Sequence, residues 1–334
     1  MKIAIDAMGG DNAPQAIVEG TLDAARAYPD LTLILVGDKA QIQTYMRADA
    51  PPNIELVHTT EVITAEDEPV RSVRRKKDAS MVVAARMVKE GQADGFVSAG
   101  NTGALMTAGL LVVGRIAGIE RPALASIWPT MGGNAMLVLD VGANMDAEAN
   151  HLYQYALMAN LFAKEVLDLK QPRIGLLNVG TEAGKGDKLR KEAYPLLEKG
   201  AFHFVGNIEA REAMNDRCDV LVADGFTGNN MLKLVEGFGL GLFDQLKHVF
   251  MRNTLSKLAA LVLKPGLRLF KKKFDYAEYG GAPLLGIDGA VIKAHGSSNA
   301  RAFRMAIHQA RQFIDRRVVE QIHQDLHHEG RDEQ

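Results

Sequence analysis

Cysteine, net charge and long apolar runs are all scarce in this chain. A single cysteine, Cys218, stands among 334 residues. That excludes an intrachain disulfide and a cysteine metal cluster. Acidic and basic residues nearly cancel, 41 against 39, for a net charge of −2. Such a balance argues against a general nucleic-acid binder. No run approaches the roughly 18 apolar residues of a membrane-spanning helix. The opening MKIAIDAMGG carries too short an apolar run for a signal peptide, and residues 3–7 read as a buried strand, so the expected location is the cytoplasm. No fixed-period repeat and no low-complexity linker divides the chain, which favours one continuous domain over residues 1–334.

What is present is a hydrophobic content of 47%, enough for a sizeable core. Short apolar runs alternate with longer helical patterns. Strands are expected at 2–6, 32–36, 55–58, 95–98, 136–140, 173–178, 203–206 and 220–223, with helices such as 79–90 and 152–167 between them. This rhythm predicts an α/β fold: a three-layer, mostly parallel sheet with helices on both faces.

The strand ends are the informative part. Five strands run into loops of Gly with Asn, Asp or Thr: AMGGDN (7–12), AGNTG (99–103), VGAN (141–144), VGTEAGKG (179–186) and DGFTGNN (224–230). The carboxyl ends of parallel strands share one edge, where ligands bind. Glycine lets backbone N–H groups approach a ligand, and a helix N-terminus suits an anion. Ordinary turn chemistry would explain any one of these loops. Five together predict a phosphate-handling site.

Several familiar motifs are absent. The loop Gly180–Gly186 is not a P-loop: Gly180 and Gly184 enclose only three residues, and Gly186 stands where Ser or Thr would bind magnesium. Gly237-Phe238-Gly239 lies in a helical pattern and lacks the third glycine of a dinucleotide fingerprint. Neither H-E-x-x-H nor a Cys/His cluster indicates zinc, and His323, His327 and His328 read as a solvated helix end. No metal and no cofactor is expected.

Seven blocks carry a family resemblance: DAMGGDNAP (6–14), SAGNTGALMTAG (98–109), DVGAN (140–144), LLNVGTEAGKGD (176–187), ADGFTGNN (223–230), YGGAPLLGI (279–287) and KAHGSSN (293–299). Together they resemble bacterial phosphate acyltransferase of phospholipid synthesis. The resemblance implies transfer of a long acyl chain from acyl carrier protein to inorganic phosphate. The acyl phosphate product would pass to a membrane glycerol-phosphate acyltransferase. It further implies a homodimer and a fold like phosphotransacetylase and isocitrate dehydrogenase.

The chemistry is attack of a phosphate oxygen on a thioester carbonyl, which needs positioning and an oxyanion site rather than a strong base. Lys185, in a Gly-Lys-Gly loop past a strand end, is the first candidate, as a point charge on phosphate or oxyanion. Asn229, expected to close the 224–229 loop and open a helix, is the second, as an amide donor. Gly9, Gly10, Ser98, Asn101, Thr102, Asn144, Asn178, Thr181, Thr227, Gly228 and Ser297 are candidate phosphate or carbonyl ligands. Asp6, Asp11, Glu182 and Asp224 repel phosphate when ionised, and are expected to orient Lys185 or loop amides or to act as acid or base. His295 is a candidate to protonate the leaving thiolate. Cys218 precedes a strand, on the wrong edge, so direct attack is expected without an acyl-enzyme.

Two basic segments complete the reading. Residues 245–274 carry eight basic residues, no acidic one and many apolar ones. Pro265-Gly266 is expected to break them into a protruding basic amphipathic helical hairpin. Its Leu258, Leu261, Val262, Leu267, Phe270, Lys271, Lys272 and Lys273 suit an anionic membrane surface, giving peripheral association with the inner face, or a partner. Arg71, Arg74, Arg75, Lys76 and Lys77 suit docking of the acidic carrier protein. Competing readings are a phosphotransacetylase-like enzyme using coenzyme A, a decarboxylating dehydrogenase on the same sheet class, and a membrane-surface scaffold.

Overall fold

The fold is given by a computed structural model. It describes residues 1–273 and 280–332; for Leu240, 269–273 and 327–332 only the backbone is described. The first half contains β1 (Lys2–Asp6), α1 (Gln15–Ala27), β2 (Thr32–Gly37), α2 (Lys39–Tyr45), β3 (Ile54–His58), α3 (Pro69–Arg75), α4 (Ser80–Lys89), β4 (Gly95–Ser98), α5 (Thr102–Ala108), β5 (Ala123–Leu124), β6 (Ser126–Pro129), β7 (Ala135–Leu139) and α6 (Ala149–Glu165). Then follow β8 (Arg173–Asn178), α7 (Lys188–Lys199), β9 (His203–Glu209), β10 (Val220–Val222), α8 (Gly225–Met251), α9 (Thr254–Lys273), β11 (Ala282–Leu285), β12 (Ala290–Lys293), α10 (Ala300–Asp315) and α11 (Val318–Asp332).

The strands form two sheets. Seven lie in the order β3-β2-β1-β4-β12-β11-β5 and five in the order β6-β7-β10-β8-β9. Most pairs are parallel; the antiparallel ones are β12–β11, β11–β5 and β6–β7. The expected mostly parallel α/β architecture is present, with its strands distributed over two sheets. Strand β1 shows why its run is continuously apolar. Ile3 and Ile5 face Phe303 and Ile307 of α10, while Ala4 faces the cluster holding Val82 and Ala85 of α4. Both faces of the sheet are covered, so neither side of the strand is polar.

Every strand expected from the sequence is present, within a residue or two at most ends. Four more are added. Strands β5 and β6 are very short, β11 contains Pro283, and β12 is four residues long.

Two helix boundaries differ from expectation. Residues 225–230 are helix, because the Asp224 carboxylate accepts from Thr227 N at 2.9 Å and caps α8. Pro265 does not break the basic segment; it lies inside α9. The break comes at 252–253, where Asn253 Oδ1 accepts from Ser256 N at 2.8 Å and starts a new helix. Pro265 removes one backbone donor, and on an exposed helix the freed carbonyl turns to water. Leu258, Leu261 and Val262 are exposed on α9 and Leu267 is half-buried. The side chains of Phe270, Lys271, Lys272 and Lys273 lie outside the described residues. Among the described residues no helix is long and apolar enough to cross a membrane.

Candidate active site

Strand order decides which loops meet. Strands β1, β4 and β12 are neighbours, so the loops after them converge at one edge of the seven-stranded sheet. Strands β7, β10 and β8 are neighbours in the other sheet, and the remaining three loops converge there. The five loops therefore divide between two edges. The edges are tied together by Asp140: its carboxylate accepts from Leu124 N of β5 at 3.0 Å and from Gly142, Ala143 and Asn144 N of its own loop. Burial pushes this carboxyl up to about 6, against the pull of those four donors.

At the seven-stranded edge, Asp6 is buried and accepts from Ser80 Oγ and Ser98 Oγ, both at 2.6 Å. Burial raises its pKa, and the two hydroxyls oppose the rise. Asp6 is thus an internal anchor rather than a ligand. Gly9 passes so close to it that a methyl there would overlap the Asp6 carboxylate. Asp11 N donates to Gly296 O at 2.9 Å, and Asn12 Nδ2 donates to Ser297 O and Ser298 O. These bonds close the 8–12 loop onto the 294–298 loop and place Gly10, Asp11, His295 and Ser297 side by side. Asn101 caps α5 through Ala104 N, and its amide donates to Thr64, Ala65 and Asp67 carbonyls. That amide is spent on the backbone, while Thr102 opens α5 on the same rim.

At the five-stranded edge the Lys185 side chain is 53% exposed and lies 3.8 Å from Glu182. Its loop is held from below. Asn178 Nδ2 donates to Lys185 O at 3.1 Å, and Asn207 Nδ2 to Glu182 O at 2.8 Å. Asn144 Nδ2 donates to Pro122 O and to Asp140. Asn144 and Asn178, read as ligands from the sequence, therefore hold loops. Thr181 remains exposed. Asn229 lies in the second turn of α8, against Gly142. Helix α8 reaches this depth because Gly228 has no side chain; a methyl there would overlap the Asp140 carbonyl.

One residue that sequence reading missed is Arg190 of α7. It is buried, and its guanidinium bonds to Leu177 O, to Asp187 at 2.9 Å, to Thr227 Oγ1 at 3.0 Å and to the Asp224 carboxylate. Burial works against ionisation of Asp224, but Thr227 and Arg190 together hold its carboxyl below the usual range. Arg190 thereby bolts the loop bearing Lys185 to the helix bearing Asn229. The sequence offered one signal: Arg190 stands three residues after Asp187, the N-cap of α7.

Two further cations were also missed. Lys293 is buried, with Nζ donating to the Ala99 and Ala294 carbonyls. Burial lowers its pKa to about 8, and Asp6 and Asp11 counter part of that fall. Lys233 of α8 pairs with Glu236 at 3.1 Å. The charges of both reach His295, and that of Lys233 also reaches Lys293. Lys233 stands four residues after Asn229, on the same helix face. Helix α8 thus spans from the five-stranded edge toward the other. Cys218 is buried at the far end of β10, its thiol pushed up to about 12 by burial, and bonds to Met136 Sδ.

Comparison with known proteins fits this geometry. A family described as "Fatty acid synthesis protein" matches residues 1–321. A phosphate acyltransferase of Brevibacillus brevis is 56% identical over 98% of this chain and 97% of its own length. One from an Exiguobacterium species is 57% identical over 96% and 98%. The chain belongs to the phosphate acyltransferase family. The resemblance carried by the seven blocks is borne out. The chain shares its fold with a phosphotransacetylase from Streptococcus pyogenes, at TM-score 0.63 and 17% identity over 94% of both chains. A branched-chain phosphotransacylase from Enterococcus faecalis gives 0.60 and 16%, over 94% of this chain and 99% of that one.

Proposed function

We propose that the chain transfers a fatty acyl group from acyl carrier protein to inorganic phosphate, at the five-stranded edge. The observation that carries this reading is the joining of an exposed ammonium, Lys185, to an amide-bearing helix, Asn229, through buried Arg190. Lys185 holds the phosphate against the thioester carbonyl, with Thr181 and the first turn of α8 beside it. A phosphate oxygen attacks, and Asn229 donates to the oxyanion that forms. The carbon–sulfur bond then breaks with its electron pair on sulfur. A thiol of pKa about 8.5 leaves as thiolate without an obligatory acid. Burial lowers the pKa of His295, so less of it carries the proton that such an acid would give. Its imidazole and the Ser297 hydroxyl, 2.8 Å apart, stand at the seven-stranded edge instead. Buried Cys218 is unsuited to carry the acyl group, which favours direct attack.

The carrier protein docks on α3. Arg71, Arg74, Arg75 and Lys77 are exposed there, beside α5 and the seven-stranded edge. Lys76 is withdrawn from that surface, because its ammonium binds Asp67 at 2.6 Å and Val62 O at 2.9 Å. The apolar side of α9 rests on an anionic membrane surface at the inner face, near the membrane glycerol-phosphate acyltransferase that takes the product. Exposed Leu234, Phe238 and Leu242 of α8 suit burial in a homodimer. The test incubates the protein with long-chain acyl carrier protein and phosphate and traps acyl phosphate with hydroxylamine. Phosphate-dependent product is expected. Equal use of acyl coenzyme A transfers the reading to the coenzyme, and absence of product rejects it.

A further inference from the structure

Three large apolar side chains stand in solvent among the polar groups of the five-stranded edge. Met145 is 48% exposed, Phe226 62% and Val179 79%. Each follows the carboxyl end of one of three adjacent parallel strands: Met145 after β7, Phe226 after β10 and Val179 after β8. The strands are in register, with Val222 level with Leu139 and Leu176. Gly225 N donates to Asn144 O at 2.9 Å, so Met145 and Phe226 each follow one member of a bonded pair. Val179 is held through its own N–H by Asn178 Oδ1 at 2.8 Å. Three neighbouring strands span about 10 Å, so the strand ends that the three residues follow lie side by side.

Singly exposed apolar residues are ordinary on a protein surface. Three of them just past adjacent strand ends, at the carboxyl edge of a parallel sheet where ligands bind, point to a common role. Phe226 stands three residues before Asn229 and seven before Lys233, on one face of α8. Val179 and Lys185 share a loop. Inorganic phosphate gives these side chains nothing to do. A hydrocarbon leaving a carbonyl placed between Lys185 and Asn229 does.

We infer that Met145, Phe226 and Val179 form the track on which the donor's acyl chain leaves the reacting carbonyl, and that they set the preference for long chains. The inference rests on the acyl transfer proposed above. Burial of a methylene is worth about fourfold in affinity, so losing two contacts of the track costs at least ~10-fold in selectivity.

The test compares kcat/KM for palmitoyl- and butyryl-carrier protein in the full-length chain, with acyl phosphate trapped as hydroxamate. In Val179→Ser with Phe226→Ser, the palmitoyl-to-butyryl ratio is expected to fall at least ~10-fold. In Val179→Ile with Phe226→Leu it is expected to stay near the wild-type ratio. Thermal melts and the single variants keep the comparison interpretable should the double variant be unstable. An unchanged ratio in folded Ser variants overturns the track, as does equal loss with both donors. A wild-type protein inert toward both donors overturns the acyl-transfer reading beneath it.

Discussion

Arg190→Met removes the bolt between the two halves of the five-stranded edge. The guanidinium now serves Leu177 O, Asp187, Asp224 and Thr227 from a buried position. Asp224 is buried as well. Deleting one partner of a buried pair costs about 3–5 kcal/mol, because the other charge is stranded. Asp224 keeps two donors from Thr227, at 2.9 and 2.7 Å, which puts the loss near the lower end, ~3 kcal/mol. Urea unfolding followed by circular dichroism measures it. Asp224→Asn removes the stranded charge, so the double variant should lose less than the sum of the singles by at least ~1 kcal/mol. Turnover of folded Arg190→Met should fall at least ~10-fold although Lys185 and Asn229 are intact. Arg190→Lys should not restore it, since an ammonium cannot reach acceptors on three elements at once. Additive losses in the cycle, or a single-variant loss under ~1 kcal/mol, would refute the coupling.

Lys293 makes stability depend on pH. Its pKa is about 8 in the fold against 10.5 ordinarily. Between those values the unfolded chain binds more protons, so stability should rise with pH across this window, by ~3 kcal/mol from this group at full extent. Urea midpoints at pH 7.5 and 10.5 should show a smaller rise in Lys293→Met than in the wild type, and equal rises would contradict the assignment. The protein should sediment with anionic liposomes at low salt and release as salt screens Lys257, Lys264 and Arg268. Leu258→Asp with Val262→Asp should abolish sedimentation, and failure of the wild type to bind would end the membrane reading.

The strand-end loops were legible because parallel strands need glycine and short polar residues where they turn toward a ligand. The division into two sheets was not legible, since strand order leaves no mark on local periodicity. Strand β11 hid behind Pro283, which reads as a strand breaker, yet its strand lies at the antiparallel end of the sheet beside two-residue β5. The 224–230 run read as a loop because Gly225 and Gly228 are poor helix formers. The Asp224 cap and the close approach to Asp140 overrode that propensity. Arg190 lies in a helix rich in Lys and Glu, where one more cation does not stand out. Only the fold brings Asp224 and Thr227, more than thirty residues further along the chain, onto its guanidinium.

Turnover of Lys185→Ala and Asn229→Ala, with acyl carrier protein as donor and hydroxylamine as trap, tests the central claim most directly. Each should lose at least ~100-fold while its melting curve matches the wild type, the scale for losing an oxyanion donor. Near-normal turnover in both would move the phosphate and the oxyanion away from this edge.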